Sequence, residues 1–106
     1  MSGSGGGSGY QTSARAQFDC NSGTITTNLS SIDLVILASH SIGDHLQVRI
    51  NATGALVTVN GNGQILGSIV HVNTADIIQC INSGNNYFAR ITAINSPVCT
   101  VYIKRI

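Results

Sequence analysis

Residues 45–70 read HLQVRINATGALVTVNGNGQILGSIV, and the alternation within this stretch is the clearest β signal in the chain. Apolar Leu46, Val48 and Ile50 alternate with polar residues, which is the pattern of a strand buried on one face. The segments ALVTVN and QILGSIVHV follow closely, separated by the turn sequences NATG and GNG. Asn60-Gly61 is a strong hairpin signal, because both residues tolerate positive φ. The stretch therefore predicts three consecutive antiparallel strands.

Upstream of this stretch, the chain offers one clear strand and one ambiguous segment. GTITTNL, at residues 23–29, carries β-branched residues in alternation and predicts a first strand. SIDLVILASH, at residues 31–40, contains a continuous apolar run that fits a buried strand or a short helix capped by Ser31. We expect the strand.

Downstream, the sequence predicts one helix and a closing hairpin. In NTADIIQCINSGN, Asn73 or Thr74 suits the helix start and Gly84 suits the left-handed position that ends a helix. YFARITAIN and VCTVYIKRI then form two strands joined across Ser96-Pro97. In the last strand, alternate residues are expected to face opposite sides of the sheet.

These elements predict a mainly β protein, a small, strongly bent antiparallel β-barrel with one short helix. Residues 1–17 are rich in Gly and Ser and predict a flexible tail, whereas residues 18–106 form a single domain. A glycine inside a strand marks a bend, a bulge or close approach of another backbone, and we expect Gly67 to mark a bend, with no ligand near it. The residues expected to have structural roles in turns and bends are Gly43, Asp44, Asn60, Gly61, Gly63, Gly67 and Gly84.

The composition limits the possible partners. Only 8 % of residues are charged, 42 % are hydrophobic and the formal net charge is +1. A dedicated nucleic-acid binder usually has an obvious basic footprint, which this sequence lacks. No apolar run approaches the length of a membrane span, so no membrane partner is expected. Weak electrostatic repulsion between copies favours self-association.

The cysteines are odd in number and far apart. Cys20, Cys80 and Cys99 do not form the close, even-numbered pattern of an extracellular disulfide framework. We therefore expect reduced, mostly buried thiols in a cytoplasmic protein.

Catalytic and metal-binding signals are weak. The only acids are four aspartates, and the histidines and cysteines lack the close pairs of zinc sites. The run Gly61-x-Gly63 is followed by a β-branched strand segment and no helix, so it does not match the dinucleotide fingerprint. We expect no catalytic residue, no metal and no cofactor, and hence no enzyme.

One family resemblance can be stated. The region from IGDHLQVRI to YFARITAI, residues 42–94, resembles a HIRAN-type module. The resemblance lies in the Gly43-Asp44 turn before a strand, the strand ILGSI with Gly67 and Ile69, and the helix TADIIQCINSG. It implies a compact SH3-like or HIRAN-like barrel that binds single-stranded DNA ends. The sequence INATGALVTV departs from the family's charged stretch, so the family's DNA contacts cannot be carried over.

Two functions are expected. The first is a non-catalytic interaction module that works through protein contact or homo-oligomerisation. A similarity to short bacterial proteins with Gly/Ser-rich starts implies a bacterial accessory or mobile-element protein. The alternative is a single-stranded nucleic-acid-binding module, with aromatic and basic residues on one barrel face. The residues proposed to contact nucleic acid or a partner are Arg49, Tyr87, Arg90, Tyr102, Lys104 and Arg105.

Overall fold

The computed structural model describes residues 17–106, so the tail predicted for residues 1–17 lies almost entirely outside the described residues. Within them the chain forms six strands and two short helices. Their bounds are β1 Thr24–Asn28, α1 Leu34–Leu37, β2 His45–Ile50, β3 Leu56–Val59, β4 Ile65–Ser68, α2 Thr74–Asn82, β5 Tyr87–Asn95 and β6 Val98–Arg105. The strands make one sheet of order β1-β6-β5-β2-β3-β4, and every neighbouring pair is antiparallel.

The sheet curls until its two edges meet. Ser30, just after β1, and Ser68, at the end of β4, exchange two backbone N–H···O bonds of 2.8 Å. Asp33 N–H also donates to the carbonyl of Leu66 at 2.9 Å. We call the Ser30–Ser68 pair the closing bridge. It turns the sheet into a curled half-barrel and confirms the predicted small, bent, mainly β fold.

The concave side of the sheet holds the core. The alternation predicted for β2 is confirmed, because Leu46 and Val48 are buried while Gln47 and Arg49 are exposed. The alternation predicted for β6 is also confirmed, because Cys99, Val101 and Ile103 are buried while the residues between them are partly exposed. The strand residues that belong to the core on this side and are no more than 8 % exposed include Ile25, Leu46, Val48, Leu56, Thr58, Leu66, Tyr87, Ala89, Ile91, Cys99, Val101 and Ile103. Buried Thr58 satisfies its hydroxyl by donating to the carbonyl of Gly67.

Gly67 lies next to the closing bridge, where the segment after β1 approaches β4. It pairs with Thr58, beside a register shift in the β3–β4 ladder, which fits the predicted bend. A Cβ at this position would lie 3.0 Å from the carbonyl oxygen of Ser30 and 3.1 Å from Cβ of Leu29. The close approach of a second backbone is therefore the stronger reason for glycine here.

The strand favoured for residues 31–40 is wrong. Residues 34–37 form helix α1, whose N-cap is Asp33 and not Ser31. The Asp33 carboxylate accepts hydrogen bonds from the N–H groups of Val35 and Ile36, which are otherwise without partners at a helix start. Only Leu37 of this helix is buried. The apolar run is therefore an exposed helical turn and not a central strand.

Helix α2 confirms the predicted helix, and it also corrects the expectation of three reduced thiols. Ile77 and Cys80 are the buried residues of α2. Cys80 is joined to Cys20 by a disulfide across 60 residues of sequence. The remaining thiol, Cys99, is buried in β6. Spacing alone could not reveal the pair, because the two cysteines meet only after the sheet has curled.

The predicted turns all occur. Gly63 N–H donates to the Asn60 carbonyl, and Asn51 and Gly54 make the equivalent bond in the preceding turn. In the 60–63 turn the positive φ belongs to Gly63 and not to Asn60 or Gly61. The helix end at Gly84 also has a positive φ, as expected.

We expect reduction of the Cys20–Cys80 disulfide to lower the free energy of unfolding by about 2–4 kcal/mol, because a covalent link across so long a loop restricts the unfolded chain. Urea denaturation with and without a thiol reductant measures the change. A Cys20→Ser/Cys80→Ser variant is the matched control, since reductant should not alter its stability. An unchanged wild-type midpoint on verified reduction would contradict the role assigned to this bond.

Gly67→Ala should destabilise the fold by about 1–3 kcal/mol, because the added methyl group meets backbone that cannot rotate away. Gly61→Ala is the control, since nothing lies within 4 Å of a Cβ built there. Its effect should stay within about 0.5 kcal/mol. Thermal unfolding of the two variants makes the comparison, and equal losses would contradict the steric explanation.

Candidate functional site

The convex side of the sheet collects positive and aromatic side chains. Residues pair across the strands in two rows. The first row runs Thr24, Lys104, Phe88, Gln47, Val59 and Ile65, and the second runs Thr26, Tyr102, Arg90 and His45. Arg49 lies beside the first row, opposite Val57. We call this side of the sheet the outer face. Among the described residues, the strand register puts no carboxylate on it.

Four of the six predicted contact residues come together on the outer face: Arg49, Arg90, Tyr102 and Lys104. The Arg90 guanidinium lies over the Tyr102 ring, 5.4 Å from its centroid. Such a cation–π contact holds an exposed arginine against the sheet while its charge stays accessible.

The other two predicted residues lie elsewhere. Tyr87 faces the core and is 1 % exposed, and its hydroxyl donates a 2.7 Å hydrogen bond to the carbonyl of Cys20. Burial raises its pKa. Arg105 pairs with Tyr87 in the register, so it leaves the sheet on the opposite side, where its Nη1 donates to Oδ1 of Asn21 at 2.7 Å. Neither residue belongs to the outer face.

Three residues of the outer face, His45, Gln47 and Phe88, were not predicted as contact residues from the sequence. Phe88 pairs with Gln47, and its ring meets the ring of His45 edge-on at a centroid distance of 5.1 Å. The sequence did contain a signal for them. Phe88 lies two residues before Arg90, and His45, Gln47 and Arg49 occupy alternate positions of one strand, so each set is expected on a single face of its strand. This alternation does not reveal which strands become neighbours in the sheet.

A groove crosses the outer face between β2 and the β3–β4 hairpin. Its volume is about 580 Å³, and its apolar lining includes Val57, Val59 and Ile65. Val57 is only 2 % exposed although it faces away from the inner core. Phe88 also lines the groove, and Gln47 and Arg49 supply polar groups.

Gln47 and Arg49 form a pair at this groove. The Arg49 Nε–H donates to Oε1 of Gln47 at 2.8 Å. Both side chains are exposed, yet this bond fixes the plane of the guanidinium. The structure gives no partner within the described residues for the two Nη groups of Arg49.

A polar network anchors the turn that borders the groove. His40 donates from Nδ1 to Oδ2 of Asp44 at 2.8 Å and accepts at Nε2 from Nδ2 of Asn60 at 3.3 Å. Oδ1 of Asn60 accepts the N–H groups of Asn62 and Gln64. The groove wall is therefore tied to the loop that precedes β2.

The His40–Asp44 pair does not form a nucleophile site in the described part of the chain. The second ring nitrogen of His40 is occupied by Asn60, and the free thiol of Cys99 is fully buried. Burial also raises the pKa of that thiol, which disfavours the reactive thiolate. Within residues 17–106, no group of three or more His, Cys, Asp or Glu residues is placed to hold a metal ion.

No helix in residues 17–106 has the length and apolar character needed to cross a membrane. Comparison of the chain with protein-family models, curated proteins and solved structures finds no match. The resemblance to HIRAN-type modules therefore stays a prediction.

Asp44 should make stability depend on acidity. The N–H of Ser41, followed by His40, lowers the pKa of the Asp44 carboxyl below its ordinary value of 3.8. A depressed pKa stabilises the folded state above that value, and the stabilisation is lost as the pH falls through the folded-state pKa. Asp44→Asn should therefore show a smaller loss of stability on acidification than the wild type. Urea midpoints at about pH 6 and pH 3 test this, and equal losses would contradict it.

Proposed function

We propose that the protein binds single-stranded nucleic acid on the outer face. The observation that carries the proposal is the gathering of Arg49, Arg90 and Lys104 with Phe88 and Tyr102 on one side of the sheet. These residues come from three different strands. A sheet that offers aromatic rings beside cations suits a single strand, because bases stack on the rings while phosphates meet the cations.

The aromatic spacing supports this function. Phe88 pairs with Lys104 and Arg90 pairs with Tyr102, so Phe88 and Tyr102 are diagonal neighbours on adjacent strands. Diagonal neighbours in a sheet lie about 7–8 Å apart, close enough for two bases of one strand to stack on them. Both rings are partly exposed.

The charge distribution supports it as well. The net charge of +1 is too small for binding driven by the whole surface. Locally, the outer face has three cations and, among the described residues, no carboxylate on its strands. A segregated patch of this kind attracts phosphates even on a nearly neutral protein.

The Cys20–Cys80 disulfide is relevant to the cellular location of the protein. Disulfides persist in oxidising surroundings and are rare in the reducing cytosol. The Cys20–Cys80 bond therefore favours an oxidising location over the cytoplasmic one expected from the cysteine count. None of the outer-face residues is a cysteine, so binding does not depend on a thiol.

Self-association and protein contact stay predictions, as does the origin in a bacterial accessory or mobile element. Val70 and Val72 are 69 % and 66 % exposed and offer apolar surface for contact between copies. They lie after β4 and outside the outer face, so such contact would leave the nucleic-acid site free.

Lys104→Ala should weaken binding of a single-stranded oligonucleotide and lower its salt dependence. Loss of one phosphate contact reduces the slope of log K against log salt concentration by about 0.7 for single strands. Fluorescence anisotropy across a salt series measures both quantities.

The matched control is Arg105→Ala, which removes a neighbouring cation that leaves the sheet on the opposite side. We expect affinity and slope to stay near the wild-type values. Equal effects of the two substitutions would contradict binding on the outer face. No wild-type binding at protein concentrations of tens of micromolar in low salt would overturn the function itself.

A further inference from the structure

The Gln47–Arg49 pair presents mainly hydrogen-bond donors to a ligand in the groove. Arginine has only donors, so the Gln47 amide must turn its oxygen toward Nε of Arg49. The donors left for a ligand are the two Nη groups of Arg49 and Nε2 of Gln47, while Oε1 of Gln47 keeps one lone pair beside the guanidinium. The bond between the two side chains therefore both fixes the guanidinium and sets the polarity of the site.

The groove beside this pair has the dimensions and walls of a base-binding site. Its volume of about 580 Å³ lies within the usual range for small-ligand pockets. Val57, Val59 and Ile65 offer apolar contact to a flat ring, and Phe88, directly opposite Gln47 in the register, offers an aromatic one. The polar pair lines the same groove, so a ring packed there has its edge within reach of the donors.

The two Nη donors of Arg49 discriminate among the four bases by the acceptors that each base presents. Guanine presents two neighbouring acceptors, O6 and N7, which match the fork of an arginine. Adenine presents a donor beside N7, so it would bring a donor against one arm of the fork. Cytosine in a single strand exposes two neighbouring acceptors, N3 and O2, on its Watson–Crick edge, and it is the nearest competitor of guanine. Thymine offers one acceptor beside its methyl group on the same edge. Guanine combines two neighbouring acceptors with a purine ring, which covers more of the apolar groove wall than the smaller ring of cytosine does.

We propose that the groove binds a guanine base of the single strand, with Arg49 reading O6 and N7 and Gln47 holding the guanidinium in place. This inference rests on the proposed nucleic-acid binding and adds base selectivity to it. Lys104, Arg90 and Tyr102 then hold the strand without regard to sequence, while the groove sets the preferred position of one base.

The test compares three oligonucleotides by fluorescence anisotropy. The first is an oligothymidylate of about twelve nucleotides, which is within the site size of small single-strand-binding barrels. The second carries one guanine at its centre, and the third carries 7-deazaguanine there, which lacks the N7 acceptor. We expect the guanine oligonucleotide to bind roughly 5- to 150-fold more tightly than the oligothymidylate, the range for one good bidentate base contact. The 7-deazaguanine oligonucleotide should fall between them.

Arg49→Lys is the informative variant, because lysine keeps the charge and loses the planar fork. It should lose the preference for guanine, because the affinity for the guanine oligonucleotide falls toward the affinity for oligothymidylate. Gln47→Ala should reduce the preference in the same direction, since the guanidinium is then no longer held. Both residues are exposed on the outer face, and circular dichroism of the two variants checks that the fold is kept.

The outcomes separate this inference from the function on which it rests. Equal wild-type affinity for the three oligonucleotides would overturn guanine selectivity and leave nucleic-acid binding intact. A uniform loss of affinity in Arg49→Lys would assign Arg49 to a phosphate and also overturn the selectivity. Failure of all three oligonucleotides to bind would overturn both proposals.

Discussion

The two hydrogen bonds between Ser30 and Ser68 join the edges of the sheet, and most of the molecule's organisation depends on that closure. They bring the end of β1 against the end of β4, and glycine at 67 lets the Ser30 backbone approach without a shift, since a Cβ there would lie 3.0 Å from the Ser30 carbonyl oxygen. A curled sheet has two unlike sides. Its concave side shelters an apolar core and its convex side faces water, so polar and charged residues of every strand are placed together there.

The same closure explains how much could be predicted from the sequence. Alternation in HLQVRI and VCTVYIKR assigned Arg49, Tyr102 and Lys104 to the polar sides of their strands, because that pattern is local. The convergence of these residues depends on the insertion of β5 and β6 between β1 and β2, which is a tertiary result. Tyr87 and Arg105 were included for their chemistry alone, and the register places both on the other side of the sheet.

Two local features were misread for distinct physical reasons. The apolar run at residues 32–37 has the composition of a buried strand, but the Asp33 side chain satisfies the first N–H groups of a helical turn and settles the conformation. The cysteines gave no spacing signal because Cys20 and Cys80 are brought together by the fold. Around them, the rings of Phe18 and Tyr87 meet in a tilted arrangement at a centroid distance of 5.9 Å, and the Tyr87 hydroxyl donates to the Cys20 carbonyl. The disulfide therefore belongs to a packed end of the barrel.

The strand order has a consequence for how the chain reaches this structure. β5 and β6, from Tyr87 to Arg105, lie between β1 and β2 in the sheet, while β1 comes from the opposite end of the described chain. β2, β3 and β4 can pair with one another as a local meander, but β1 finds its sheet neighbour only when β6 is present. Assembly of the barrel therefore waits for the C-terminal hairpin, and contacts between such distant segments form slowly. During synthesis, β1 and the curled edge it completes stay open until the β5–β6 hairpin emerges, so the appearance of that hairpin commits the protein to its fold.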